Sequence, residues 1–132
     1  MQNQIKTKTR LAYIQFIFST FFSSGELVDE AEHFQSYFNK LSIPSTKKDQ
    51  ETIFDFNKNF FTKLSFSYFE FIKKNNVADL IDPLINVDRK YQNWSFINKS
   101  IILAIFSEIE ISKKDKIKIL INDYFNLSLI HI

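Results

Sequence analysis

The chain contains a single glycine, Gly25, and two prolines in 132 residues. Tight hairpins between β-strands depend on glycine, because their turns need positive φ angles. A chain this poor in glycine offers few places for hairpins, so it favours helices joined by short polar connections. Gly25 itself is suited to the left-handed conformation that ends a helix.

Apolar residues recur at intervals of three and four along most of the chain, which is the spacing of one helical face. The first clear series is Leu27, Ala31, Phe34, Phe38 and Leu41. Similar series begin at Ile53, Val77 and Ile117. We predict six helices, near residues 8–24, 27–40, 50–74, 77–86, 94–109 and 113–130.

Polar residues mark the expected boundaries of these helices. The stretch 42–46, which contains Pro44, has turn composition, and Asn75-Asn76 is expected to end the third helix. Residues 86–93 are polar and are expected to form a loop. Ser112, with an acidic residue three positions later at 115, has the spacing of a capping box that opens the last helix.

These patterns predict one all-α domain over residues 1–132, with an N-terminal helical half at 1–75 and a C-terminal half at 76–132. We find no internal repeat and no low-complexity linker.

Composition argues against most kinds of enzyme. The absence of cysteine excludes disulfides, thiolate zinc sites and cysteine nucleophiles. One glycine is too few for a Walker A loop, a dinucleotide-binding fingerprint or a nucleophile elbow. Glu30 and His33 have the Glu-x-x-His spacing of di-iron bundles, but the second copy that such a site needs is missing. We therefore expect a non-catalytic protein without metal, cofactor or small-molecule substrate.

Charge is distributed unevenly, although the net charge of +2 is too small to indicate nucleic-acid binding. Residues 1–25 carry Lys6, Lys8 and Arg10 and no acid, and residues 26–32 carry four acids and no base. The three cations are expected to form a flexible arm before the first helix that neutralises RNA phosphates, with a solvated terminus as the alternative.

The N-terminus also has the order of a secretory signal, with basic residues, an uncharged run at 11–22 and then Ser23-Ser24-Gly25. Polar residues interrupt that run, and it is too short to span a membrane. We expect a cytoplasmic protein that does not span a membrane. An exported protein that loses its first 25 residues is the alternative.

Four segments resemble the NusB family of transcription antitermination factors. Residues 10–18, Arg-Leu-Ala-Tyr-Ile-Gln-Phe-Ile-Phe, are similar to the family's opening motif Arg-Leu-Ala-x-x-Gln-Ala-Leu-Tyr. Residues 81–85 resemble Ile-Asp-x-x-Ile, residues 99–109 resemble Arg-Ala-Ile-Leu-Arg-x-x-x-Tyr-Glu-Leu, and residues 120–124 resemble Ile-Asn-Glu-Tyr. The four segments follow the family's order and span nearly the whole chain.

This resemblance implies a six-helix NusB-like bundle of two small helical subdomains. It also implies binding to single-stranded boxA-like RNA together with the ribosomal protein NusE, within the RNA polymerase antitermination complex. The chain departs from the family at Phe18, Leu103 and Asp123, where the family has tyrosine, arginine and glutamate. It also stops at Ile132, before the family's Phe-Val-Asn-Gly-Val-Leu-Asp motif.

The candidate RNA-binding residues combine cations, an aromatic ring and amides. Arg10 is suited to grip a phosphate in bidentate fashion. Phe18 offers a ring on which a base can stack, unless it belongs to the core. The full set is Lys6, Lys8, Arg10, Gln15, Phe18, Arg89, Lys90, Asn98 and Lys99.

Two further groups are expected to be structural. The lysines between 113 and 118 are read as a solvated face, and Glu108 and Asp123 as hydrogen-bonding or capping residues.

The alternative function is a helical protein-interaction module that has lost RNA binding, which Leu103 and the missing last motif favour.

Overall fold

The computed structural model describes residues 3–23, 29–35, 56–84 and 89–131, and within these ranges it contains helices and turns but no strand. This confirms the all-α prediction for that part of the chain. The named helices are α1 (Asn3–Thr20), α2 (Lys58–Lys74), α3 (Val77–Ile81), α4 (Phe96–Ile111) and α5 (Ile117–His131). Residues 29–35 are also helical, and 3₁₀ turns lie at Asp82–Leu84, Tyr91–Asn93 and Lys114–Lys116.

The chain divides into two compact units, Met1–Ser65 and Phe66–Ile132. The sequence placed the division near residue 75, where α2 ends. The boundary between the two units falls instead between Ser65 and Phe66, within the residue range of α2.

Aromatic rings form much of the core of the first unit. Phe16 and Phe61 are fully buried, and their ring centroids lie 5.6 Å apart in an edge-to-face arrangement. Phe34 stacks on Phe61 at 5.6 Å, and Phe56 lies 5.3 Å from the same ring. Each such pair contributes roughly 0.5–1.5 kcal/mol beyond the area it buries, so this cluster ties three segments of the first unit together.

A hydrogen-bonded threonine fastens α1 to the start of α2. The Thr9 hydroxyl donates to the carbonyl of Ile5 at 2.6 Å and accepts the backbone N–H of Asn57 at 2.9 Å. Asn57 in turn caps α2, because its Oδ1 accepts the backbone N–H of Phe60 at 2.8 Å. The sequence predicts that this helix starts near residue 50. That prediction is wrong for the residues that are described, because residues 56 and 57 are not helical and α2 begins at Lys58.

The first helix begins earlier and ends earlier than predicted. It starts at Asn3 and closes at Thr20 with a tightened turn, in which the N–H of Phe21 bonds to the carbonyl of Phe18 at 3.2 Å. Gly25, which lies outside the described residues, does not directly follow it. The assignment of Gly25 as the cap of this helix is therefore wrong.

The second unit is built around α4 and α5. The apolar series that begins at Ile117 continues with Leu120, Ile121, Tyr124 and Leu127. Three of these, Leu120, Tyr124 and Leu127, form the buried face of α5 as a helical spacing predicts, whereas Ile121 is 40% exposed. The residues of α4 that are buried are Ser100, Leu103, Ala104, Ser107 and Glu108.

Two contacts connect α2 to α4 within the second unit. The Ser67 hydroxyl donates to the carbonyl of Ser107 at 2.5 Å, in the interior. The rings of Phe71 and Phe106 stack with their centroids 6.1 Å apart.

Two helix boundaries in this unit are predicted from polar residues. The boundary at Asn75-Asn76 is confirmed, and the one at Ser112 is wrong. Asn76 follows the end of α2 and caps α3 by accepting the backbone N–H of Asp79 at 3.2 Å. Ser112 does not open the last helix, because its hydroxyl donates back to the carbonyl of Glu108 at 2.8 Å. It therefore closes α4, and the 3₁₀ turn leads into α5 without it.

The predicted turn at 42–46, and half of the predicted helix at 27–40, lie outside the described residues. Among the helices in the described part of the chain, none is both long enough and apolar enough to cross a membrane.

Candidate nucleic-acid interface

A hydrogen-bonded turn precedes α4, and two of the predicted site residues, Arg89 and Lys90, lie at its start. The backbone N–H of Tyr91 bonds to Oδ1 of Asp82 at 2.9 Å, which anchors the start of the turn. The N–H of Asn93 bonds to the carbonyl of Lys90, and that of Trp94 to the carbonyl of Tyr91, both at 2.9 Å. These bonds hold the segment between Arg89 and α4 in one conformation.

The first turn of α4 is organised by a serine cap. Ser95 has an extended backbone, and its hydroxyl oxygen accepts the backbone N–H of Asn98 at 3.2 Å. This cap satisfies one of the N–H groups that every helix start leaves unpaired. It also places Asn98 in the first helical turn, where its side chain is exposed.

A cavity of about 470 Å³ lies beside this turn. Its volume falls within the range of roughly 300–1,000 Å³ that is typical of small-molecule sites. Its lining combines aliphatic, aromatic, cationic and uncharged polar residues. The lining residues are Arg89, Trp94, Ser95, Asn98, Ile101, Ile102 and Ser128.

Two of the predicted residues, Arg89 and Asn98, therefore meet at one cavity. Lys90 lies next to Arg89 in the chain, and both are exposed. Within the part of the chain that the structure describes, neither side chain makes an ion pair. Both cations are thus available to an anionic ligand at this surface.

Lys99 is held differently from Arg89 and Lys90. Its ammonium donates to the carbonyl of Gln92 at 3.0 Å and lies 5.4 Å and 5.5 Å from the ring centroids of Tyr91 and Phe96. These cation–π and hydrogen-bonding contacts fasten α4 to the preceding turn. A role for Lys99 in contacting phosphate stays a prediction.

Tyr91, the first residue of the 3₁₀ turn, is buried, with 8% of its surface exposed. Its burial, together with a smaller electrostatic effect of Tyr68, raises the pKa of Tyr91 to about 12. The phenol is therefore neutral at physiological pH and acts as part of the supporting core.

The predicted basic arm does not exist as a flexible segment. Lys6 and Lys8 are half-buried within α1, which begins three residues before Lys6. Arg10 is 7% exposed, and its guanidinium carbon lies 5.7 Å from the centre of the Phe60 ring. The expectation of a frayed terminus is wrong, because the helix continues to Asn3 and packs Arg10 into the first unit.

Gln15 and Phe18 lie on a face of α1 that reaches the surface. Gln15 is exposed and Phe18 half-buried. The Phe18 ring lies 5.1 Å from that of Phe22, which is 64% exposed. Phe18 is therefore not a core residue, and the two rings form an aromatic pair at the end of α1.

The candidate residues belong to the two units separately. Those of α1 lie in the first unit, whereas Arg89, Lys90, Asn98 and Lys99 lie in the second. In the second unit the fold brings Arg89 and Asn98 to one cavity and holds Lys99 over the aromatic rings beside it.

Sequence reasoning missed Trp94 and Phe22 as site residues. Trp94 is the single tryptophan of the chain, and it stands between Arg89 and Asn98 in sequence. An aromatic residue between a cation and an amide is a signal that could have identified it. Phe22 follows Gln15 and Phe18 at helical spacing, but α1 ends before it, so only its exposure distinguishes it.

The same geometry offers no metal centre in the part of the chain that is described. No group of three histidine, aspartate or glutamate residues comes together there, and Glu30 and His33 lie in the helical segment 29–35.

Comparisons with protein-family models, with curated proteins and with solved structures find no match to this chain.

Proposed function

We propose that this protein binds single-stranded RNA as a non-catalytic transcription antitermination factor. The observation that carries the proposal is the meeting of Arg89, Trp94 and Asn98 at one cavity, with the exposed Lys90 next to Arg89 in the chain. The site combines cations for phosphates, a ring for stacking and an amide for a base edge. These are the groups that recognise single-stranded nucleic acid.

Single-stranded rather than duplex RNA is the target that this chemistry favours. In a duplex the bases are stacked and their edges are recessed in narrow grooves. A base that is to reach Trp94 inside a cavity must be unstacked. Unpaired RNA provides such bases at low cost.

The sequence resemblance to the NusB family supports a particular biological setting for this activity. On that basis the RNA is boxA-like, the ribosomal protein NusE is the partner, and the protein acts in the cytoplasm within the RNA polymerase antitermination complex. The mechanism is positional, because holding the nascent RNA near the polymerase requires no bond to form or break.

The direct test is fluorescence anisotropy with a labelled boxA-type RNA, with and without NusE, at several salt concentrations. Three or four phosphate contacts predict a log–log salt slope of roughly −2 to −3. The double variant Arg89→Ala/Lys90→Ala should weaken binding and reduce the slope by about 1.4, since each lost contact to a single strand contributes about 0.7.

The matched control is Lys73→Ala/Lys74→Ala, which removes the same charge from exposed positions in the last turn of α2. This control should leave the slope nearly unchanged. Absence of RNA binding both with and without NusE would overturn the proposal.

A second candidate function is the protein-interaction module, and α5 provides an observation in its favour. Ile121, Phe125 and Leu129 are 40%, 60% and 69% exposed and recur every four residues on one side of the helix. An exposed apolar stripe of this kind is typical of helices that dock on another protein. If this reading is right, NusE binds without RNA, Phe125→Ser/Leu129→Ser abolishes that binding, and no RNA binds.

A further inference from the structure

Trp94 offers a ligand in the cavity its ring rather than a hydrogen bond. The indole nitrogen is its only donor, and it already donates to the carbonyl of Arg89 at 3.2 Å. The ring also packs against Tyr91, with centroids 5.6 Å apart and planes inclined by 59°. The indole is therefore held in place from two sides while it lines the cavity. An aromatic surface with no spare donor suits a flat, π-rich ligand.

The polar groups beside the indole suit the edge of such a ligand. The backbone N–H of Asn98 is taken by the Ser95 hydroxyl oxygen, but the side-chain amide of Asn98 has no hydrogen-bond partner among the residues that the structure describes. This amide supplies both a donor and an acceptor. The Ser95 hydroxyl keeps its own proton to donate. The edges of nucleobases carry hydrogen-bond donors or acceptors with which an amide and a hydroxyl can pair.

The guanidinium of Arg89 completes the set at the same cavity. Arg89 lines it and has no acidic partner in the described ranges. A guanidinium matches the geometry of a phosphate with two parallel N–H groups. The cavity thus combines one stacking ring, one amide and one phosphate-binding group.

We infer that this cavity holds one unstacked nucleobase against Trp94, with the phosphate of the same nucleotide bound by Arg89. The inference rests on the proposed RNA-binding function and makes it more specific, since it assigns one nucleotide of the RNA to one pocket. The nucleotide can come from an RNA strand or be a free nucleoside monophosphate, because the recognised chemistry is the same.

The fluorescence of Trp94 tests this inference directly, because the chain has no other tryptophan. The full-length protein is titrated with boxA-type RNA, while anisotropy of the labelled RNA is followed in parallel. In separate titrations the probes are the four nucleoside 5′-monophosphates, ribose 5-phosphate and inorganic phosphate. We expect quenching by RNA at the midpoint seen in anisotropy, quenching by nucleotides, and none by the two phosphates that lack a base.

The outcomes separate this inference from the proposed function. RNA binding in anisotropy without any change in Trp94 fluorescence would overturn the pocket and leave the proposed function standing. Quenching by free nucleotides without RNA binding would support the pocket and overturn the RNA-binding function. If neither RNA nor nucleotides bind, both fail.

Substitutions at Trp94 provide the second readout. Trp94→Leu should lower RNA affinity by about fivefold to 150-fold, the range that corresponds to one base–aromatic stack. Trp94→Phe keeps a ring and should lose less. The matched control is Phe66→Leu, because Phe66 is 56% exposed in the second unit and does not line the cavity. Equal losses in Trp94→Leu and Phe66→Leu would contradict the assignment of the base to this cavity.

Arg89→Gln tests the phosphate contact and keeps Trp94, so that Trp94 fluorescence still reports binding. In the wild-type protein a nucleoside monophosphate should quench Trp94 at lower concentration than the nucleoside without phosphate. Arg89→Gln should remove that difference and leave nucleoside binding intact. A difference that persists in this variant would show that the phosphate lies elsewhere.

Discussion

Tyr124 donates a hydrogen bond of 2.6 Å from its phenolic oxygen to Oε1 of Glu108, and both residues are buried, at 0% and 3% exposure. The bond connects α5 to α4 across sixteen residues of sequence. Glu108 therefore has the structural role that the sequence analysis expected, since a buried oxygen without a donor would cost free energy.

Tyr124→Phe should lower the free energy of unfolding by about 1–3 kcal/mol, because it removes one donor from a buried oxygen. Urea denaturation measures this loss, and RNA affinity should stay unchanged. In a Glu108→Met background the same substitution should cost much less, because the acceptor is already gone. Additive losses in the double variant would show that the two groups are not coupled.

Arg10 should matter for stability rather than for phosphate binding. Arg10→Ala removes a buried cation–π contact with Phe60 and the packing of a long aliphatic stem. The cation–π contact alone is expected to contribute about 0.5–2 kcal/mol. Urea denaturation should show the loss, and the salt slope of RNA binding should not change. A reduced slope with unchanged stability would place Arg10 on the RNA instead.

The aromatic pair at the end of α1 should contribute to RNA affinity. Phe22→Ala removes a ring that is 64% exposed and packs on Phe18, so stability should change little. If a base stacks there, affinity should fall by about fivefold or more. Phe66→Ala is the matched control, since Phe66 is 56% exposed in α2. A similar effect of both substitutions in the anisotropy assay would argue against a specific stack on α1.

Alkaline conditions should destabilise the second unit through Tyr91. The unfolded chain releases this phenolic proton near pH 10, whereas burial keeps it bound in the folded protein up to about pH 12. The unfolded state therefore binds fewer protons in this interval, so the contribution is complete below about pH 10 and is lost as the pH rises to about 12. Its slope is at most about 1.4 kcal/mol per pH unit for one proton.

Tyr91→Phe should remove this part of the pH dependence. Urea denaturation of both proteins at several alkaline pH values isolates it, because the two proteins differ only in this hydroxyl. Identical pH profiles would mean that Tyr91 ionises as freely in the folded protein as in the unfolded chain.

The helical character of the chain could be predicted because it depends on residues close together in sequence. The spacing of Leu120, Tyr124 and Leu127 places them on one side of a helix, and that side is buried. The Asn75-Asn76 pair marks the end of α2 because a short polar side chain caps the next helix locally. Ser95 caps α4 in the same local way, since its hydroxyl oxygen accepts the backbone N–H of Asn98.

Part of the candidate site could be predicted in the same way, since Arg89, Lys90 and Asn98 stand out by residue type. The cavity could not, because Ser128 comes to it from a different part of the chain than Arg89 and Trp94 do. Local spacing contains no information on which distant residues share a wall.

The sequence by itself determined that the chain forms amphipathic helices. It also placed cations and aromatic residues together in two stretches, residues 6–18 and 89–99. The tertiary structure decided which of these cations reach solvent. Arg10 packs over Phe60, Lys99 is held at the carbonyl of Gln92, and Arg89 lines a cavity. The physical reason is that burial and pairing depend on neighbours far apart in sequence, whereas helix formation depends on neighbours within one or two turns.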